Sequence, residues 1–239
     1  MDSLPARALE QRTGERRHTP DADPWWAETW SFDVTAIDRS ISTFATLTVL
    51  PNQSTCWYWA AVVGTDRRYV LCRDDELTVP SNKRPLEVRG GGLWMHAICE
   101  EPWRHWTVAM EAFAIAFDDP TEEWRSERGD RVGLAFDLEW ESLTSGHDLP
   151  YEIPCRVSGD LQVGDELLPI NATGWRSHRW GSLESVLALV HTGPGTAIFD
   201  APLLALTREG ALEPIVRRLI EPTDPADPPR WITCVAPVD

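Results

Sequence analysis

Cys56-Trp57-Tyr58-Trp59-Ala60-Ala61-Val62-Val63 is the clearest indication of fold class in this chain. Successive side chains of a β-strand point to opposite faces, so a strand with one face in water alternates apolar and polar residues. No polar residue interrupts this run after Cys56, and its aromatic and β-branched side chains are typical of strands. We therefore expect a strand covered on both faces. It would lie either in a barrel packed against further sheet or helix, or in a wall shared by two barrel-like halves.

On both sides of this run, short segments rich in Val, Ile, Thr, Phe and Trp alternate with turn residues. Helical periodicity is scarce: residues 214–220 fit a short helix or a strand, and residues 118–130 indicate a charged loop with one helical turn. Many antiparallel strands with short turns predict an all-β barrel or sandwich. The predicted strands are residues 28–37, 41–50, 55–63, 68–73, 93–100, 105–117, 131–141, 152–158, 160–163, 168–173, 177–191, 195–199, 203–208, 212–217 and 230–235.

The domain organisation is less sharply marked. Residues 1–24 are polar and contain proline, so we expect a flexible N-terminal segment without a role in the core. The composition shifts again near residues 142–150. This shift separates an N-terminal β unit, residues 25–145, from a C-terminal β unit, residues 146–239, unless the two form one continuous domain.

The charge balance excludes several classes of partner. The 239 residues include 22 Lys and Arg against 38 Asp and Glu, for a formal net charge of −16. Nucleic acids and anionic membrane surfaces are bound by clustered cations, and the chain has no basic run. No apolar stretch approaches the roughly 18 residues that a membrane-spanning helix needs. We expect neither a nucleic acid nor a membrane as partner.

Cysteine usage and motif content argue against metals and organic cofactors. The five cysteines are scattered, without a Cys-x-x-Cys pair or a metal-ligand spacing with His. Gly90-Gly91-Gly92 is not followed by a helix pattern or by Lys-Ser/Thr, so it is not a phosphate loop. Because the first residues also lack a basic segment followed by an apolar run, we expect a cytoplasmic protein with reduced thiols, most of them buried in strands.

The chain contains thirteen Trp, an outlying number. Two interpretations are compatible with each other: the indoles fill a wide core, or they line a cavity for an apolar or cationic ligand.

Gly174-Trp175-Arg176-Ser177-His178-Arg179-Trp180-Gly181 is the best candidate for a functional site. In an extended strand Arg176, His178 and Trp180 share one face. They supply a permanent cation, an imidazole that titrates near neutral pH and an indole N–H donor. The alternative is structural: Arg176 pairs with a nearby carboxylate and His178 hydrogen-bonds a carbonyl in the core.

A second cluster, Glu100-Glu101-Pro102-Trp103-Arg104-His105-Trp106, leads into a strand that contains Glu111. Glu111 is in phase with Phe113 and Phe117. If that face is the interior, Glu111 is a buried carboxylate and Arg176 is its natural partner. The alternative is an outward-facing salt bridge.

The first cluster resembles the Gly-x-Arg-Asp-His-Ser-Trp-Gly motif of lipocalin-like proteins related to carotenoid 1,2-hydratase (hydroxyneurosporene synthase) and AttH. The segment from Pro102 to Trp106 resembles the Pro-x-x-x-Trp stretch that leads into a strand in that group. Ser177 stands where the family has Asp, and Arg179 where it has Ser. A working carboxylate must therefore come from elsewhere, and Glu111 is the expected source.

The resemblance implies a calycin- or lipocalin-like antiparallel barrel with a deep apolar pocket. It also implies a cyclase, isomerase or hydro-lyase that uses no organic cofactor and acts on a polyene, isoprenoid or polyketide. His178, Arg176 and Glu111 are then the expected catalytic residues. The expected substrate-binding residues are Trp180, Trp106, Trp94, Trp59 and His105. Two alternatives remain: a non-catalytic carrier or sensor of an apolar ligand, and a structural domain whose Trp only fill its core.

Overall fold

The computed structural model describes residues 15–81, 86–125, 129–144, 151–187, 196–207, 211–224 and 227–236. Residues 1–14 of the expected N-terminal segment lie outside the described residues, as do residues 145–150 of the expected link. The same holds for the ends of three expected strands, residues 188–191, residue 195 and residue 208.

The described residues are mostly β-strand, which confirms the all-β fold class. The helices are α1 (Glu122–Arg125), close to the predicted helical turn, and α2 (Leu183–Leu187); Pro51–Gln53 forms a single 3-10 turn. None of the described helices is long and apolar enough to cross a membrane. The strands are β1 (Trp26–Thr35), β2 (Ile41–Leu50), β3 (Thr55–Gly64), β4 (Tyr69–Thr78), β5 (Leu86–Gly90), β6 (Leu93–Glu101), β7 (His105–Phe117), β8 (Asp130–Ser142), β9 (Tyr151–Val163), β10 (Glu166–Ser182), β11 (Ala197–Leu206), β12 (Leu212–Ile220) and β13 (Arg230–Val235).

Eight antiparallel strands close into a barrel in the order β1, β2, β3, β4, β7, β8, β9 and β10. The ring closes where β1 pairs with β10 and where the start of β4 pairs with the end of β7, Tyr69 opposite Phe117. The β5–β6 hairpin pairs with the earlier part of β7 and widens the wall there. Strands β11, β12 and β13 form a separate three-stranded sheet.

Strand β3 is covered on both faces, as its sequence predicts. Tyr58 and Val62 belong to the core inside the barrel. Trp57, Trp59 and Val63 point outward into a second core with residues of the three-stranded sheet. The barrel therefore packs against further sheet, the first of the two arrangements expected for this run.

Several boundaries differ from the sequence prediction. Strand β10 is continuous through Gly174, whereas the sequence predicts two separate strands there. Gly174 allows this because it has no Cβ: a Cβ atom at this position would lie 1.8 Å from the carbonyl oxygen of Asp33 on the paired strand β1. The expected strand beyond Ser182 is replaced by α2. Residues 214–220 are strand rather than helix, because β12 has a pairing partner on each side.

The ring draws strands from both sides of residue 145. β9 pairs with β8 and β10 pairs with β1, so strands of the expected C-terminal unit complete a barrel begun by the expected N-terminal one. The division at residue 145 itself stays a prediction.

Candidate functional site

The inner face of β10 carries Arg176 and His178, as strand alternation predicts. Their side chains are 1% and 0% exposed, whereas Ser177 and Arg179 lie on the outer face and are half-buried. Trp180, further along the same strand, is also half-buried. The motif thus delivers one cation and one imidazole into the barrel.

The carboxylate beside His178 is Glu28 of the neighbouring strand β1. Glu28 Oε1 lies 2.9 Å from His178 Nε2 and 2.8 Å from His18 Nδ1. The backbone N–H of His18 also donates to both carboxylate oxygens, at 2.9 and 3.1 Å. One fully buried carboxylate therefore joins two imidazoles from distant parts of the chain.

Glu28 is held in its charged form by these contacts. Burial acts to raise its pKa, but the hydrogen bonds from His178 and His18 outweigh burial, so the pKa of Glu28 lies below its ordinary value. An ionised carboxylate can only accept hydrogen bonds. We therefore assign the hydrogens to His18 Nδ1 and His178 Nε2, which leaves His18 Nε2 as a basic lone pair when the ring is neutral.

Indole rings stack on the faces of the two imidazoles and hold them in place. Trp30 stacks on His178 with ring centroids 4.5 Å apart. Trp180 stacks on His18 at 3.6 Å with an interplanar angle of 13°. Such stacking restricts the rotation of both rings, so their nitrogen atoms have fixed directions.

A buried ion pair anchors the N-terminal segment next to these rings. Glu15 accepts hydrogen bonds from Arg176 Nη1, at 3.0 and 3.2 Å, and from the backbone N–H of Trp103 at 2.9 Å. Arg17 Nη1 donates to the carbonyl oxygen of Pro80 at 2.7 Å. The N-terminal segment therefore contributes the buried carboxylate of Glu15 and the half-buried side chains of Arg17 and His18 to the barrel, which differs from the expectation of a segment without a core role.

A cavity of about 1070 Å³ lies between the N-terminal segment and the barrel. Its wall includes the indoles of Trp30 and Trp106 and apolar side chains such as Leu86 and Ile98. Glu15 and His18 also line it, whereas the fully buried Glu28 and His178 do not. His18 is thus the member of the hydrogen-bonded set that meets the cavity.

A family model described as a domain of unknown function, DUF7064, matches residues 11–198. The chain belongs to the DUF7064 family. Comparison with curated proteins found no match, and neither did comparison with solved structures. The matched residues include the whole barrel together with Glu15, His18, Glu28, Arg176 and His178, so the site belongs to the DUF7064 domain itself.

Four of the predicted site residues lie close to the cavity and the hydrogen-bonded set of this DUF7064 domain. Arg176 and His178 lie inside the barrel, Trp106 lines the cavity, and Trp180 stacks on His18. The Arg176 guanidinium carbon lies 5.5 Å from the centroid of the Trp106 ring.

The expectation that Glu111 faces the interior is wrong. Glu111 is exposed on the outer face of β7, and Phe113, in phase with it, is 72% exposed. The interior phase of β7 is instead set by Val108 and Met110, both fully buried. Glu111 therefore does not reach Arg176, and Glu15 takes the place expected for it.

Three further predicted residues lie away from the cavity. Trp94 pairs across the sheet with Glu111, and its Nε1 donates to Glu87 at 3.1 Å. His105 is half-buried on the outer face of β7. Trp59 lies in the second core and donates from Nε1 to Asp75 at 2.8 Å.

Glu28 is a functional residue that the sequence reasoning missed, although a signal for it exists. Glu28 alternates in phase with Trp30, Phe32 and Val34, so a strand assignment puts one carboxylate on an otherwise apolar inner face. Glu15 and His18 carry no such signal, because they precede the first strand and follow no periodic pattern.

The same atoms form a donor set for a metal ion. His18, Glu28 and His178 each offer one ligand atom, and these three atoms lie within 4.8 Å of one another. Two imidazoles and one carboxylate are ligands of zinc and of non-haem iron. No metal site was expected from the sequence, because these donors come from three separate segments and leave no spacing motif.

Proposed function

We propose that this DUF7064 protein is an enzyme that moves protons on an apolar small molecule bound in the barrel cavity, with His18 as the acid–base group. The observation that carries the proposal is the hydrogen-bonded set His18–Glu28–His178, which ends at the cavity wall in His18. A carboxylate that orients an imidazole and stabilises its protonated form is a recurring arrangement in acid–base catalysis.

The proposed step uses the lone pair on His18 Nε2. It takes a proton from a carbon of the substrate, and Glu28 stabilises the imidazolium that forms. The imidazolium returns one proton to a different carbon, which completes an isomerisation or cyclisation without change in composition. In a hydration, the imidazolium protonates a double bond, water adds, and the surplus proton of the water returns to His18.

Glu28 and His178 are positioning residues in this scheme, because neither lines the cavity. Arg176 acts through Glu15: their ion pair holds the N-terminal segment, and with it His18, against the barrel. Trp30 and Trp106 supply the apolar aromatic wall on which a substrate packs.

The resemblance to the carotenoid 1,2-hydratase and AttH group supports the choice of substrate class. Arg176, His178 and Trp180 keep that motif. Glu28 supplies a carboxylate beside His178 inside the barrel, whereas Ser177, at the position of the motif's Asp, lies on the outer face. We therefore propose a polyene, an isoprenoid or a polyketide as substrate, with cyclisation, isomerisation or hydration as the reaction.

The test incubates the protein in D₂O with three probes: a linear polyene, an acyclic isoprenoid alcohol and a linear β-polyketone. Mass spectrometry detects deuterium uptake or product, and tryptophan fluorescence measures binding. We expect turnover of one probe class, and a loss of at least about 100-fold in His18→Gln with binding retained. Thr19→Ala, at an exposed position lining the same cavity, is the control and should keep wild-type turnover.

Two outcomes would contradict the proposal. His18→Gln turning over the probe at the wild-type rate would remove His18 from the chemistry. Binding of a probe to the wild-type protein without turnover would instead support a carrier or sensor.

A metal centre is the second candidate function, favoured by the three converging donor atoms. A divalent ion there would replace the hydrogen bonds of Glu28 and could activate water. In that case the purified protein should bind one zinc or iron ion per chain, and Glu28→Gln should lose it. A protein that takes up no metal on dialysis against either ion would rule this candidate out.

A further inference from the structure

Another, smaller cavity lies on the opposite side of the barrel wall from the first. It has a volume of about 270 Å³ and separates the outer face of β1, β2 and β10 from the three-stranded sheet. The barrel side is unusually rich in hydroxyl groups, and the sheet side contributes Arg217 of β12. The hydroxyl-bearing residues of the cavity are Thr29, Ser31, Thr46, Thr48, Ser177 and Thr233.

Arg217 is a buried cation that forms no ion pair with any residue the structure describes. It is 6% exposed, and its Nη1 donates to Thr46 Oγ1 at 2.8 Å. Its guanidinium carbon lies 4.4 Å from the centroid of the Phe44 ring. Its buried Nε has no hydrogen-bond partner, and no carboxylate oxygen of the described residues lies within 4.0 Å of the guanidinium. Burial lowers the pKa of Arg217 to about 10, which still leaves the group charged at neutral pH.

The acidic groups of the cavity compensate Arg217 only in part: burial lowers the pKa of its guanidinium by more than Asp33 and Glu152 raise it. Arg179 and Arg230 both bind Glu152, so two cations share one carboxylate. Asp33 accepts the backbone N–H of Trp175 at 2.8 Å, and burial raises the pKa of its carboxyl to about 7. Three guanidiniums thus face one shared carboxylate and one partly protonated carboxyl, in a chain whose net charge is −16.

We propose that this cavity binds the carboxylate group of a small organic acid through Arg217 and the surrounding hydroxyl groups. A guanidinium presents donors in a planar fork that matches a carboxylate, and a buried charge is stable only when it is paired. The cavity is slightly smaller than the about 300–1,000 Å³ usual for small-molecule sites, so the ligand is small. Asp33 and Glu152 disfavour a doubly charged phosphate, because they add negative charge to the same site.

This site is separate from the acid–base group. Thr29 and Ser31 point outward from β1, whereas Glu28 and Trp30 point inward from the same strand. The proposal therefore does not depend on the function proposed for the barrel cavity.

The test measures thermal unfolding and calorimetric binding with sodium acetate and sodium benzoate as probes. Sodium chloride and sodium phosphate at equal ionic strength are the reference salts. We expect acetate or benzoate to raise the unfolding midpoint of the wild-type protein beyond both reference salts. Arg217→Met should weaken carboxylate binding at least tenfold. Arg218→Met is the matched control, because the neighbouring Arg218 pairs with Asp200 outside the cavity and should leave binding unchanged.

Two further variants keep the test decisive if Arg217→Met does not fold. Ser177→Leu keeps Arg217 and fills the cavity, and should abolish the response to carboxylates. Asp33→Asn removes a negative charge from the site, and should tighten binding. A wild-type protein that responds to neither probe beyond chloride would overturn the proposal, as would an Arg217→Met or Ser177→Leu variant that binds as the wild type does. Binding of phosphate in preference to both carboxylates would overturn the ligand class.

Discussion

Two buried carboxyl groups on β1, Glu28 and Asp33, have opposite electrostatic environments. Glu28 stays ionised inside the barrel because two imidazoles donate to it. Asp33, on the outward side of the same strand, accepts a hydrogen bond from the backbone N–H of Trp175, but burial outweighs this bond and raises the pKa of its carboxyl. Two carboxyl groups five positions apart on β1 therefore have pKa values shifted in opposite directions.

Asp33 should make the stability of the protein depend on pH. Its pKa rises from an ordinary 3.8 to about 7 in the folded protein, so folding favours the protonated form. The stability that protonated Asp33 contributes to the folded state is fully present below the pKa of Asp33 in the unfolded chain, and it is lost as the pH rises through about 7. The Asp33→Asn variant keeps an acceptor for the Trp175 N–H but does not titrate. We expect the free energy of unfolding of this variant, minus that of the wild type, to increase by about 2 kcal/mol from about pH 5 to about pH 8. Urea denaturation at both pH values measures this, and a constant difference would contradict it.

The two strands β1 and β10 and the N-terminal segment together build the site. The sequence motif on β10 predicts which of its side chains share a face, because alternation is a local property. It does not predict that His178 meets Glu28, since these residues are 150 positions apart and only the strand pairing brings them together. On β7 both faces carry apolar residues, Phe113 outside and Met110 inside, so alternation alone does not identify which face is the interior.

The N-terminal segment should be a structural part of the barrel. Glu15→Ala removes a carboxylate that binds the buried Arg176, and breaking a buried ion pair by removing one partner costs about 3–5 kcal/mol. We expect the free energy of unfolding to fall by about that amount, measured by urea denaturation. Arg16→Ala, at the exposed neighbouring position, is the control and should stay within about 0.5 kcal/mol of the wild type. A Glu15→Ala variant as stable as that control would contradict the anchoring role.

The whole molecule is a barrel with two cores, one inside the ring and one between the ring and the three-stranded sheet. Composition and local pattern are sufficient to predict an all-β barrel or sandwich and a strand buried on both faces, and the family resemblance implies the barrel. The tryptophans do two things: Trp57 and Trp140 fill cores, and Trp30 and Trp106 line the cavity. That this cavity binds an apolar or cationic ligand stays a prediction. What could not be predicted is the contribution of Glu15 and His18, because their positions depend on contacts with the closed ring rather than on a periodic pattern of their own.

The central claim is that an ionised Glu28 holds His18 with its hydrogen on Nδ1 and leaves Nε2 as a base at the cavity. Long-range ¹H–¹⁵N NMR of the imidazole rings at neutral pH tests it most directly. We predict that His18 carries hydrogen on Nδ1 and His178 on Nε2, and that Glu28→Gln abolishes this preference at His18. A wild-type His18 with its hydrogen on Nε2, unchanged in Glu28→Gln, would contradict the account.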